Sequence, residues 1–182
     1  MNIFHARQGQ VDTNFCYFYT DTINKFQHLL SDDALKQEVI SSLQYLVQKE
    51  IVTVYGYVIM PNHIHLLWYI NKQNGKESAA GSLAKFTAHR FKKYLMQTNQ
   101  LSLYKSDKID REYQFWKRDP LAVPISSEKI LVCKLEYIHD NPVKWGLCTL
   151  PEDYKWSSAK FYNNGVDEFN FFRLVGTLTD RK

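Results

Sequence analysis

The run His63 to Ile70 (HIHLLWYI) leaves little choice of backbone. At a period of two, Ile64, Leu66, Trp68 and Ile70 fall on one side, and His63, His65, Leu67 and Tyr69 fall on the other. Wound as a helix, the same residues would scatter around the axis and commit neither set to a core. Ile51 to Met60 (IVTVYGYVIM) is equally rich in β-branched and aromatic residues, and Pro61-Asn62 supplies a turn between the two runs. The segment therefore reads as a β-hairpin with one committed core face and two histidines on the face opposite.

The remaining elements follow from similar signals. Phe15 to Ile23 reads as a first strand. Ser31 is a suitable N-cap, Asp32 and Asp33 suit the positive first turn, and Leu30 can staple onto Leu35. Leu35, Val39, Leu43, Leu46 and Val47 then trace one face of a helix ending near Lys49. Residues 71–80 form a polar loop, a second helix spans about Ser82 to Gln97, and a polar stretch runs from Gln97 to Glu112. A fourth strand is expected within Phe115 to Ile125, at an edge or interrupted, because Pro120 and Pro124 remove ladder donors. Ser126 or Ser127 caps a third helix with Glu128 in its first turn, and Pro142 is expected to end it. The order β-α-β-β-α-β-α predicts an α+β fold, a ferredoxin-like antiparallel sheet with helices on one face.

Composition narrows the class. A chain of 182 residues, 45% hydrophobic and 23% charged, can bury its own core, and one domain over residues 1–182 is expected, with a C-terminal extension from about residue 150. No apolar run is long enough to span a bilayer, and MNIFHARQGQVDTNF lacks the layout of a signal peptide, so a cytoplasmic protein without a membrane partner is expected. Cys16, Cys133 and Cys148 form no CxxC pair and suggest neither a disulfide framework nor a zinc knuckle.

The net charge of +4 is unevenly spread, because residues 72–118 hold 11 basic and 4 acidic side chains. There Lys85, Arg90, Lys92 and Lys93 alternate with Phe86, Phe91 and Tyr94, a mixture suited to phosphates and unstacked bases. Lys117 and Arg118 extend it. A solvated helix face would carry the same residues, so the pattern alone leaves nucleic-acid binding open.

His63 and His65 project from the same side of a strand and can converge on one cation, although paired surface histidines look the same in sequence. On the third helix Leu131, Leu135 and Ile138 form the core stripe, and Tyr137 lies off its centre. Asn141 follows Tyr137 by four residues and shares its face. Tyr137 as amphipathic filler and Asn141 as a helix terminator remain open at this point.

Three strings together carry a resemblance: YVIMPNHIHLLW (Tyr57 to Trp68), LEYIHDNPVKWGL (Leu135 to Leu147) and YKWSSAKFY (Tyr154 to Tyr162). In this order and spacing the chain resembles the REP-associated tyrosine transposases, bacterial relatives of the smallest single-tyrosine insertion-sequence transposases. That resemblance implies an HUH-superfamily nuclease that cuts single-stranded DNA near hairpins and rejoins it through a covalent phosphotyrosine. It implies that His63 and His65 are the metal-binding pair, that Tyr137 is the nucleophile, and that Asn141 is a third ligand. The implied cofactor is a divalent cation, Mg²⁺ or Mn²⁺, and the implied partner is single-stranded or hairpin DNA, with monomer and homodimer both open. The stretch FWKRDPLAVPI (Phe115 to Ile125) departs from the regular strand of relatives. Two alternatives stand beside this reading. A hairpin-binding protein would not cut, and a metal-dependent phosphoesterase acting through water would not need Tyr137.

Overall fold

The two central strands are apolar on both sides, and that dictates a three-layer arrangement. The computed structural model describes residues 12–172. Strand β1 (Phe15–Thr22) sends Tyr17 and Tyr19 to one face and Cys16 and Phe18 to the other. Strand β3 (His63–Ile70) sends Ile64, Leu66, Trp68 and Ile70 to the first face and Leu67 to the second. With β2 (Val52–Ile59) and the short β4 (Leu121–Pro124) they form an antiparallel sheet in the order β2-β3-β1-β4.

Helices α1 (Asp33–Gln48) and α2 (Ala79–Gln97) pack on the first face, where Leu35, Val39, Leu43, Leu83 and Phe91 meet Tyr19 and Trp68 in the main core. Helix α3 (Glu128–Lys144) crosses the second face and buries Leu131 and Ile138 against Phe18, Val58 and Leu67. The α+β antiparallel fold is as expected from the sequence, with one correction: the helices do not all lie on one face. Phe18 and Leu67 would otherwise leave an apolar sheet surface in water, and α3 covers it.

A β-bulge places Tyr55 and Gly56 together opposite Leu67. Helix α3 packs tightly over Gly56, since a Cβ there would lie 2.6 Å from Leu135 Cδ1.

Three boundaries differ from expectation. Asp32, not Ser31, caps α1 by accepting from the Ala34 N–H, because Leu29–Ser31 is a separate 3-10 turn. Ser78 caps α2, which starts three residues earlier than its apolar pattern suggests. Helix α3 runs through Pro142 to Lys144. A proline in the last turn removes only one intrahelical bond, and Trp145 N–H to Asn141 O, at 3.1 Å, closes the end.

Beyond α3 the chain returns to β2. Ile59 N–H donates to Trp156 O, and Ser158 N–H to Tyr57 O. Tyr162 OH, from the short α4 (Ala159–Asn164), donates to Tyr55 O at 2.6 Å. Trp156 stacks on Phe169 with centroids 5.5 Å apart. Among the described residues no helix is long and apolar enough to cross a membrane.

Candidate functional site

The hairpin turn and the sheet register decide where the two imidazoles sit. His63 opens β3 directly after Pro61-Asn62, and the alternation carries His65 to the same side, the side that α3 covers. Their ring centroids are 4.7 Å apart. Each ring is held through Nδ1, His63 by Asn62 Oδ1 at 2.6 Å and His65 by Thr20 Oγ1 at 2.7 Å. An amide oxygen can only accept, so His63 Nδ1 carries the proton and its Nε2 is the unprotonated nitrogen. Such partners fix the ring orientation and tautomer of a ligating histidine.

Both rings are strongly biased toward the neutral form. Burial lowers His63 to about 4, with the neighbouring Asn141 amide offsetting a little of that. Burial, then the nearby His63 and Lys134, lowers His65 to about 3. At neutral pH both present unprotonated nitrogens.

Helix α3 brings the other components. Tyr137 sits 5.3 Å from the His65 ring and meets Phe18 edge-on at 5.8 Å, yet remains 42% exposed, so its phenol is open to a ligand. One turn later Asn141 is buried, and its Oδ1 has no hydrogen-bond partner. His65 Nε2 is likewise buried without a partner. Two buried, unpaired lone-pair atoms, each on a residue that adjoins the His63 ring, are costly to leave so, about 1–3 kcal/mol each, and a cation is a group that would satisfy both. The ammoniums of Lys134 and Lys144 lie 5.8 Å and 5.7 Å from the centre of the Tyr137 ring. Among the described residues no group of three or more His, Cys, Asp or Glu could hold a metal, so this set of two imidazoles and an amide is the donor set on offer.

Thr20, Asn62, Lys134 and Lys144 were not singled out from the sequence. Thr20 carried a signal, since the alternation of β1 puts it on the Phe18 side. The remaining histidines lie elsewhere. His139 bonds Ser158 Oγ at 2.9 Å, His28 lies beside Trp145, and His89 lines a separate groove, while His5 is outside the described residues.

That groove, about 600 Å³, runs between α2 and residues 111–118. Lys85, Lys92, Lys117 and Arg118 line it as a set, joined by His89 and Arg111. Arg90 and Lys93 do not, and Arg90 makes a two-pronged bond to Glu38 at 2.7 Å. The proline-rich stretch after it forms only the four residues of β4, with Lys117 N–H bonded to Thr22 O and Thr22 paired with His63. Lys117, which lines the groove, thus sits at the same end of the sheet as His63.

A family model described as IS200-like transposase matches residues 21–141, a span that contains His63, His65, Tyr137 and Asn141. The solved structure of a REP-associated tyrosine transposase bound to a REP hairpin aligns with a TM-score of 0.60 at 16% identity, covering 99% of this chain and 94% of that one, which shows a shared fold. A second structure, described as a transposase candidate of Deinococcus radiodurans, aligns with a TM-score of 0.44 at 17% identity over 73% of this chain and 94% of that one. No curated protein matches the sequence significantly.

Proposed function

The chain belongs to the IS200-like transposase family, and from that premise we propose that it cuts and rejoins single-stranded DNA near hairpins through a covalent bond to Tyr137. The observation that carries this reading is the gathering of an exposed phenol, two imidazoles and an unpaired amide oxygen at one spot on the α3 face of the sheet. We read residues 1–182 as one transposase domain, with the extension from about residue 150 bracing β2.

In the proposed reaction the Tyr137 phenol oxygen attacks a backbone phosphorus as the bond to the 3′-oxygen breaks. The phenol gives up its proton and the departing 3′-oxygen gains one. The 5′-phosphate is left on Tyr137, and a second 3′-hydroxyl can later attack that phosphotyrosine and release the tyrosine. The energy of the phosphodiester is retained in the adduct, so no nucleotide triphosphate is required. Lys134 and Lys144 place positive charge where the attack builds negative charge.

His63, His65 and Asn141 would hold a divalent cation, for which their unpaired atoms and neutral rings are suited. When bound, such a cation would polarise the scissile phosphate. Two imidazoles favour Mn²⁺ on ligand preference, while Mg²⁺ would need oxygens from water and substrate. Thr20 and Asn62 keep the imidazoles aimed. We assign the groove of Lys85, Lys92, Lys117 and Arg118 to the DNA backbone, with Arg111 and His89 joining it.

The test is incubation of the wild type and Tyr137→Phe with end-labelled hairpin DNA bearing single-stranded flanks from beside its own gene, with Mn²⁺ or Mg²⁺. A denaturant-resistant protein–DNA adduct is expected for the wild type alone. Cleavage by Tyr137→Phe at the wild-type rate, with no adduct in either, would overturn the reading in favour of a water-activating phosphoesterase.

A further inference from the structure

Of the four tryptophans, three are packed away: Trp68 is 0%, Trp116 8% and Trp156 4% exposed, whereas Trp145 is 45% exposed. Trp145 belongs to neither buried cluster, so holding the fold together does not account for it. It is nevertheless firmly placed. As the C-cap of α3 it donates its N–H to Asn141 O at 3.1 Å, and its ring rests 5.5 Å from His63 and 6.5 Å from His28.

Its position relative to the chemistry is specific. The rings of Tyr137, His65, His63 and Trp145 form an unbroken series with successive centroids 5.3, 4.7 and 5.5 Å apart. The phenol is at one end, the indole at the other and the imidazoles between. Along α3 the two residues are about 12 Å apart, a rise of eight residues. Lys144 adjoins Trp145 in sequence and lies beside the Tyr137 ring. The Lys144 ammonium, 3.5 Å from Asp140 Oδ2, thus lies at the phenol end of the series while the indole lies at the other, an arrangement that suits a short single strand with a phosphate near the ammonium and a base on the indole.

We propose that Trp145 is a stacking platform for one unpaired nucleobase of the DNA strand being cut, within a few nucleotides of the scissile phosphate. The proposal rests on the strand-transfer reading above. A strand lying across the histidine pair toward Tyr137 passes the indole, and a base stacked there fixes which phosphate reaches the phenol. Trp145 thereby contributes to choosing the cleavage position, which phosphate contacts alone cannot do because every nucleotide offers the same phosphate.

The burial of the other three tryptophans makes the platform directly readable. In the full-length Tyr137→Phe protein, which should bind without reacting, tryptophan emission is followed while the hairpin DNA with single-stranded flanks is added. Strong quenching is expected, and it should vanish in Trp145→Phe/Tyr137→Phe with affinity kept within about threefold. Trp145→Ala should weaken binding about tenfold. In a series of DNAs with one abasic site each, a single position in the flank should restore the emission. Unchanged quenching in the Trp145→Phe protein, or unchanged affinity in a folded Trp145→Ala protein, would overturn the platform. The two readings fail separately. An adduct in the wild type without Trp145-dependent quenching removes the platform alone, and quenching without any adduct keeps the platform while removing the transferase reading.

Discussion

The imidazoles of His63, His65 and His139 titrate well below an exposed histidine because each is buried, at about 4, 3 and 4 respectively. Their folded values lie below the unfolded value near 6.5. The unfolded chain therefore binds more protons between the two, and their contribution to stability is lost as pH falls from about 6.5 toward 4. Asp21 has the opposite sign. Burial raises its carboxyl to about 7, only partly offset by bonds from Tyr19 OH and the Thr22 N–H. Its folded value lies above the unfolded one, so its contribution is fully present below about 3.8 and is lost as pH rises through 7. Replacing it by Asn should stabilise the protein at pH 8 by roughly 2–4 kcal/mol, with the gain shrinking toward pH 4. Urea unfolding at both pH values checks this, and equal gains at the two would refute it. Strand alternation made the histidine pair legible and the four-residue helical spacing the shared face of Tyr137 and Asn141, while their roles rested on the family resemblance. Asn62 and Thr20 were harder to see, because a hydrogen bond to a ring nitrogen leaves no period in a sequence.

Among the elements, the strand and helix order was readable because each has a long periodic face, and its errors cluster where local geometry outweighs pattern. Pro142 lies inside α3 because only a helix's last turn is at stake there. The bulge at Tyr55-Gly56 looks like any other strand residue pair until α3 is laid over it. The Trp156-Ser157-Ser158 segment has no periodicity, yet it ties β2 to α3. Ser158 Oγ accepts from the Tyr57 N–H of β2 at 3.0 Å and meets His139 Nε2 of α3 at 2.9 Å. Ser158→Ala would leave both without that partner in a buried setting, costing about 1–3 kcal/mol. A melting midpoint lower by roughly 3–10 °C is expected in calorimetry. A shift under a degree would mean that water replaces the hydroxyl.

For the whole molecule, the two faces of the sheet carry different loads. The α3 side holds the candidate chemistry, and α2 on the other side lines the basic groove, whose Lys117 sits at the His63 end of the sheet. If about five cations of that groove meet phosphates of a single strand, the logarithm of affinity should fall with the logarithm of salt at a slope of about −3 to −4. Lys92→Gln combined with Lys117→Gln should flatten it by about 1.4. Anisotropy titrations across a salt series read this directly, and an unchanged slope would move the strand off the groove. Finally, the return of the chain onto β2 bears on how copies of this protein can meet. The residues around Trp156 to Ser158 take up backbone groups along the outer side of β2, and the opposite border is β4, four residues long and flanked or ended by Pro120 and Pro124. Among the described residues, an edge partly paired by its own chain and a short edge bounded by prolines are both features that disfavour self-association by sheet extension.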